Sequence, residues 1–318
     1  MSPTLVLAAL AVLLTLVTPA LLPRVPGLRR TPAAGLLLWQ GCALGGFSAI
    51  VLLPVVAAHE FGGLFTADRT VHPWMVWAAV ALSLVLVGRL LLAAHRVGTD
   101  LRTLRRRHQE AVDLLDPRHG DGDRLRVIDA DSPVAWCLPG RRARIVMSRA
   151  ALEGLAPDQL HGVYLHERAH LRHRHDLVVE FFTVMDAAVP SRLRHPRALA
   201  EVGLMVELLA DQAGAQEVGP VTMGRALAHL ATGQHAPRRD VPEPVGSGAG
   251  GAVSLRAPSG GVALTAGAGP LQSTVVRVTA LQQAGRPHRV QALLVTAAAF
   301  VVALGPGAVA AASLLTGS

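Results

Sequence analysis

The 318-residue chain is 51% hydrophobic and only 16% charged, and its mean hydropathy is +0.40. This balance excludes a single ordinary soluble domain and indicates membrane segments joined to a soluble part. The formal net charge is +8, and every basic side chain other than histidine is arginine. The two cysteines, Cys42 and Cys137, lie in an apolar run and in a soluble segment. No disulfide framework is therefore predicted, and a reducing compartment is expected for the soluble part.

Four apolar stretches are long enough to cross a bilayer, which takes about 20 residues. The first stretch lacks a basic leading segment and a small-residue cleavage site, so we interpret it as a retained anchor rather than a cleaved signal peptide. The predicted spans are residues 4–22, 33–58, 74–94 and 291–315. They predict three regions, which are residues 1–95 with three spans, residues 96–288 as a soluble domain, and residues 289–318 with the fourth span.

Arginine clusters predict how these spans are oriented. The clusters follow the first span, follow the third span and precede the fourth, at residues 24–30, 96–107 and 286–289. Four single crossings place all three clusters on one side, which the positive-inside rule assigns to the cytoplasm. We therefore expect a plasma-membrane protein with its amino terminus outside and residues 96–288 in the cytoplasm. The use of arginine without lysine is typical of GC-rich coding and favours a bacterial source. Basic runs beside spans also contact lipid headgroups. Nucleic-acid binding would call for aromatic side chains that stack on bases, and because only 3% of the chain is aromatic, no direct nucleic-acid binding is expected.

The soluble region is predicted to begin with an amphipathic helix and to continue with short strands and longer helices. A glycine-rich segment, residues 244–270, is expected to be a mobile loop. The predicted helices are residues 101–115, 149–155, 156–176, 195–219 and 221–233, and the predicted strands are residues 124–130, 133–138 and 143–148.

The stretch HERAH, residues 166–170, carries the strongest chemical signal. His166 and His170 are four residues apart, so a helix places both imidazoles on one face, where they can bind one zinc ion. Glu167 projects to the side, where it can reach a water molecule without binding the metal. The motif predicts two metal ligands and a general base, with zinc lowering the pKa of the water. His173 lies seven residues after His166, which is about 10 Å along a helix. It is therefore too far from His166 to bind the same ion, and we exclude it as a third ligand.

A second acidic motif lies downstream, in the stretch ELLAD. Glu207 and Asp211 are also one helical turn apart, within an otherwise apolar run where burying two carboxylates without a purpose is costly. A carboxylate as the third zinc ligand, with a second acid orienting a histidine, is one explanation. A solvated helix face is the alternative.

Together, HERAH and ELLAD resemble the H-E-x-x-H and E-x-x-A-D motifs of the HtpX and CaaX-prenyl-protease class of integral-membrane zinc peptidases. The chain is more similar still to the BlaR/MecR-type antirepressor metallopeptidases, and the similarity covers residues 96–219. It implies a mainly α membrane protein, with four transmembrane helices and a cytoplasmic α+β zincin-like peptidase domain that has a small sheet and an H-E-x-x-H helix. In that class, an edge strand ahead of the metal helix helps to hold the substrate as an added strand.

The resemblance also assigns roles to individual residues. It implies His166, His170 and Glu207 as ligands of one catalytic Zn²⁺, Glu167 as the general base, and Asp211 as the acid behind the ligands. The chain departs from the class at Arg168, which replaces an apolar residue and is expected at a surface or among lipid headgroups. No penicillin-binding sensor domain follows the fourth span, so β-lactam sensing is not expected.

These observations predict a membrane-bound zinc metalloendopeptidase that cleaves a cytoplasmic or membrane protein. Regulated signalling proteolysis, with a transcriptional repressor as the substrate, is the role that the resemblance suggests. One alternative is HtpX-like quality control of membrane proteins, and another is a non-catalytic signalling or scaffold protein with a degenerate metal site. His173 and His175 are expected at the surface or in support of the site. Cys137 is expected to be a small core residue rather than a thiolate that blocks the zinc.

Overall fold

Helices dominate the part of the chain that the structure describes, as expected from its long apolar runs. The structure, a computed structural model, describes residues 2–62, 73–115, 125–233, 270–283 and 288–316. In chain order the elements are α1 (Pro3–Val12), α2 (Thr18–Leu21), α3 (Pro32–Gly62), α4 (Pro73–Leu115), β1 (Leu125–Ile128), β2 (Ala135–Leu138), β3 (Arg144–Ser148), α5 (Arg149–Gly154), α6 (Pro157–Arg172), α7 (His175–Ala188), α8 (Pro196–Val218), α9 (Pro220–Gly233), α10 (Pro270–Gln283) and α11 (Arg289–Thr316).

The chain divides into two compact units. Unit 1 comprises residues 1–101, 180–206 and 286–318, and unit 2 comprises residues 102–179 and 207–285. The predicted glycine-rich loop, residues 244–270, lies outside the described residues except for Pro270, which begins α10.

Unit 1 contains helices that are long and apolar enough to cross a membrane. The four candidates among the described residues are Pro3–Arg24, Pro32–Glu60, Val80–Leu114 and Arg289–Leu315. They agree with the four predicted spans in number and order. The third predicted span and the amphipathic helix predicted after it form one continuous helix, α4, which runs on into unit 2. The length and composition of these helices are those of a membrane protein.

Helices α3 and α11 of unit 1 approach each other closely because glycine lies at their contact. A Cβ atom added at Gly41 would collide with the carbonyl oxygen of Ala299, and one added at Gly45 would collide with that of Val302. The two glycines are four residues apart and lie on one face of α3. Small residues that let helix backbones meet are typical of helix packing in membranes.

A partly buried ion pair joins the turn after the first span to α8 within unit 1. Arg29 donates to both carboxylate oxygens of Glu201, at 2.7 and 2.6 Å, and Glu201 is only 5% exposed. Two-point pairing of this kind compensates the cost of burying the carboxylate.

Unit 2 contains a three-stranded sheet in the order β1–β3–β2, with β1 parallel and β2 antiparallel to β3. Every residue of β3 is buried, as expected for a central strand. One face of the sheet packs Ile145 and Met147 against Val163 of the metal helix α6. The other face packs Trp136 and Val146 against Val112 of α4. The three predicted strands are confirmed. One face of the sheet packs against α6.

Helix α6 carries the HERAH motif, and its backbone lies close to that of α8. Pro157 occupies its first turn, where a missing N–H costs nothing, and Gln159 accepts a hydrogen bond from the backbone N–H of Ala156. A Cβ atom added at Gly214 of α8 would lie 2.8 Å from the carbonyl oxygen of Gly162. The absence of a side chain at Gly214 therefore allows the two site-bearing helices to approach.

The prediction of a single helix over residues 156–176 is wrong. Helix α6 ends at Arg172, with His173 as its C-terminal cap, and α7 begins at His175. Between them Arg174 has a φ of 51°, in the left-handed region that non-glycine residues rarely adopt. This residue turns the chain, so His175 does not continue the line of α6. Helices α7 and α10 were not predicted.

Candidate metal centre

Two helices of unit 2 place the predicted site residues together. Helix α6 presents His166, Glu167 and His170, each 7% exposed. Helix α8 brings Glu207 and Asp211 to the same place, one turn apart on one face. Asp211 is completely buried, so the alternative of a solvated helix face is wrong for this carboxylate. The Glu207 side chain is 24% exposed, the largest value among the five.

Three of these residues direct ligand atoms toward one point. His166 Nε2 lies 3.1 Å from His170 Nε2 and 3.5 Å from one carboxylate oxygen of Glu207. The other Glu207 oxygen lies 3.6 Å from His170 Nε2. Ligands held about 2.0–2.1 Å from a tetrahedral zinc ion are about 3.3 Å apart. The two imidazole nitrogens are close to this separation, and with one Glu207 oxygen all three ligand atoms lie within 4.8 Å of one another. His166, His170 and Glu207 therefore form a possible metal site.

The far ring nitrogen of each histidine has a polar neighbour, and for His170 this neighbour makes a hydrogen bond. His166 Nδ1 lies 3.0 Å from a carboxylate oxygen of Asp211. His170 Nδ1 lies 3.1 Å from Nδ1 of His175, which is itself 5% exposed. A partner on Nδ1 fixes which nitrogen carries the proton and so leaves Nε2 free for a metal. Asp211 thus lies close behind His166 without an aligned hydrogen bond, whereas His170 is hydrogen-bonded to His175.

Arg277 of α10 completes the cluster, and sequence reasoning missed it. It donates from Nε and Nη2 to the two carboxylate oxygens of Asp211, at 2.7 and 2.5 Å, and its Nη1 lies 3.3 Å from Glu207. The sequence signal is weak, because Arg277 is one of 30 basic residues and α10 was not predicted. Its valine neighbours, Val275, Val276 and Val278, are the feature that could have indicated a buried position.

Burial and the charges of neighbouring side chains explain the pKa shifts of the residues in this cluster. Burial alone would lower the pKa of His166, but the carboxylates of Asp211 and Glu207 outweigh it and raise that pKa to about 10. Burial would raise the pKa of both carboxyl groups, but the Arg277 guanidinium outweighs it and holds both below their usual values. Burial lowers the pKa of His170 to about 3.

The candidate base, Glu167, lies beside the sheet. Burial raises its pKa above the ordinary value for a glutamate. The thiol of Cys137, on β2, lies within hydrogen-bonding reach of the Glu167 carboxylate, and burial and this carboxylate raise the pKa of the thiol. Cys137 is 8% exposed and packs in the core, as predicted, and both cysteines are free.

Of the other residues named from the sequence, Arg168 and His173 lie outside the cluster, whereas His175 contacts it. Arg168 is exposed on α6, as expected from its position on the helix. His173 is exposed at the end of α6 and stacks on His175, with ring centroids 5.8 Å apart. His175 is the supporting residue of this pair, since its ring reaches His170.

Comparison with known proteins agrees with the geometry. Residues 100–189 match the sequence profile of peptidase family M48. The matched segment contains the HERAH motif, but it ends before Glu207, Asp211 and Arg277. No curated protein and no solved structure matched the chain. Residues 100–189 are therefore similar to a metallopeptidase domain.

Proposed function

We propose that this protein is a zinc metalloendopeptidase anchored in the plasma membrane. The observation that carries the proposal is the triangle of His166, His170 and Glu207 ligand atoms beside the buried carboxylate of Glu167. The match of residues 100–189 to a metallopeptidase family supports it independently.

The donor set and the charge of the cluster suit a zinc ion. Two imidazoles and one carboxylate are typical ligands of catalytic zinc, whereas magnesium and calcium prefer oxygen ligands. Glu167, Glu207 and Asp211 with Arg277 carry a net charge of −2 when all are ionised and the imidazoles are neutral. A divalent cation would neutralise this buried charge. Without a divalent cation, this surplus negative charge favours a proton on His166.

The side chains then have distinct roles in hydrolysis. Bound zinc would polarise the substrate carbonyl and make water acidic at neutral pH. Glu167 accepts the proton of the attacking water and returns it to the departing amine. Burial raises the pKa of Glu167, which makes its carboxylate a stronger proton acceptor for this step. Asp211 places a negative charge 3.0 Å from Nδ1 of His166, and Arg277 holds Asp211.

The free edge of the sheet is the proposed site for the substrate backbone. Strand β3, directly ahead of α5, is paired on both sides, so among the described strands the free edges belong to β1 and β2. Cys137 of β2 reaches Glu167, so β2 is the strand beside the base. An extended peptide added to β2 would gain backbone hydrogen bonds whatever its side chains are. This arrangement favours cleavage within a chain.

The proposed location and substrate follow from the sequence. The arginine clusters support an amino terminus outside and a peptidase domain, residues 96–288, in the cytoplasm. Substrates would then be cytoplasmic proteins or the cytoplasmic parts of membrane proteins. By resemblance to the BlaR/MecR-type peptidases, we propose regulated cleavage of one substrate, such as a transcriptional repressor.

Purified full-length protein in detergent provides the test. Wild type, Glu167→Gln and the exposed control Glu153→Gln are loaded with zinc and incubated with denatured casein and with a peptide library. We expect all three to bind one zinc ion per chain, and only Glu167→Gln to lose cleavage, by about 10²–10⁴-fold. Equal cleavage by Glu167→Gln, or no zinc binding by the wild type, would contradict the proposal.

A further inference from the structure

His175 is buried behind a proposed zinc ligand although no motif includes it. It is the first residue of α7 and is 5% exposed. Its Nδ1 lies 3.1 Å from Nδ1 of His170, and the two rings are nearly perpendicular, with an interplanar angle of 87°. The two Nδ1 atoms are thus at hydrogen-bonding distance across a T-shaped ring contact.

We propose that His175 is a positioning residue that fixes the tautomer and the ring orientation of His170 for metal binding. The proposal rests on the zinc site of the proposed function and adds a residue to it. His175 would act through His170 and would not touch the metal.

The positions of the protons follow from the geometry. His170 Nε2 lies 3.1 Å from His166 Nε2 and 3.6 Å from Glu207, so this nitrogen faces the metal position and must be unprotonated for binding. The proton of a neutral His170 is then on Nδ1. Two protons do not fit between nitrogens 3.1 Å apart, so Nδ1 of His175 is the acceptor. One hydrogen bond thereby selects the binding tautomer of His170.

The break between α6 and α7 makes this contact possible. Residues five apart in one continuous helix are about 140° apart around the axis and about 7.5 Å apart along it, so their side chains diverge. The left-handed conformation of Arg174, with a φ of 51°, ends that geometry and turns His175 back toward His170. A non-glycine residue in this region is strained, and such strain persists only where the surroundings hold it. The ring contact between His175 and His170 is one such constraint.

The two ligand histidines are supported in chemically different ways. His166 is backed by a carboxylate and His170 by an imidazole. An imidazole orients the ring without adding a negative charge. The net charge of −2 that suits a divalent ion is therefore kept, whereas a second backing carboxylate would exceed it.

Two variants at residue 175 separate hydrogen bonding from packing. His175→Phe keeps a ring of similar size but has no acceptor, whereas His175→Asn places an amide oxygen near the position of Nδ1. His173→Asn is the matched control, because His173 stacks on His175 from the exposed side. Zinc affinity is measured by competition with a chelator, and the geometry of the site by the visible spectrum of the Co²⁺-substituted protein.

We expect His175→Phe to bind zinc about 10–100-fold more weakly and to change the Co²⁺ spectrum. His175→Asn should recover most of the affinity and the wild-type spectrum, and His173→Asn should match the wild type. Wild-type affinity in His175→Phe, or an equal loss in both variants at residue 175, would overturn the role of His175 alone. A wild type that binds no zinc would overturn the proposed function as well.

Discussion

Arg277 and Asp211 form a two-point ion pair in which the carboxylate is completely buried, with N–O distances of 2.7 and 2.5 Å. The pair connects α10 to the acidic motif on α8, and Asp211 in turn faces His166 at 3.0 Å. One guanidinium therefore determines the environment of a carboxylate that lies directly beside a proposed zinc ligand. Four predictions concern residues of this cluster and of unit 1.

Removing the guanidinium should destabilise unit 2. Arg277→Met leaves Asp211 buried without its cation, and breaking a buried pair in this way costs about 3–5 kcal/mol. Arg277→Lys should cost less, because an ammonium keeps the charge but cannot make the two-point contact. Thermal unfolding in detergent measures both effects. Arg225→Met, at an exposed position of α9, is the control, and equal melting temperatures in the two methionine variants would contradict this prediction.

Zinc affinity should rise with pH. The pKa of metal-free His166 is about 10, so below that pH its ring carries a proton that must leave before Nε2 can bind a metal. We expect roughly a tenfold gain in affinity per pH unit between about pH 7 and pH 9, with about one proton released per zinc ion bound. Calorimetry in buffers with different ionisation enthalpies counts these protons. Asp211→Asn should release fewer, since Asp211 helps to raise this pKa.

Glu207 should be the third ligand. Glu207→Ala should lose most zinc affinity and cleavage together, because two imidazoles alone hold the ion poorly. Glu207→Asp keeps a carboxylate on a shorter side chain and should retain part of both. Equilibrium dialysis against zinc measures the first effect and casein cleavage the second. Glu217→Ala, at an exposed position of the same helix, is the control. Full zinc affinity in Glu207→Ala would mean that another residue is the ligand.

Close packing of α3 and α11 should depend on glycine. Gly45→Leu inserts a side chain where a Cβ atom already collides with the Val302 carbonyl oxygen, so the helices must separate. We expect a lower melting temperature and a lower yield of folded protein. Gly88→Leu on α4 is the matched control, because no atom lies within 4 Å of a Cβ added there. Equal effects of both substitutions would show that the contact does not matter.

Periodicity was enough to predict the parts of the site that lie on regular helices. The spacing of HERAH places His166 and His170 on one helix face whatever the tertiary structure is. The carboxylates of ELLAD stand out because their neighbours are apolar. The four spans follow from length and composition alone. In each case the signal is local, and the structure places the residues accordingly.

The tertiary contacts of the site could not be predicted from local sequence patterns. The left-handed Arg174 has no sequence signal, because glycine or asparagine would be expected there, and so the role of His175 was not specified. Arg277 is separated from Asp211 by 66 residues and has no motif of its own. Both residues are placed by contacts with distant parts of unit 2, and such contacts leave little trace in the local pattern of the sequence.

During synthesis, Glu207 is made well before Arg277, because the two residues are far apart along the chain. Ribosomes add about 5–20 residues per second, so the 70 residues between them take roughly 4–14 s to make. Throughout that interval the nascent chain carries the histidines and all three carboxylates without the guanidinium that balances them. We therefore expect the site to mature only after α10 has been made and packed against α9. The proposed peptidase site would therefore stay incomplete while the chain is still emerging.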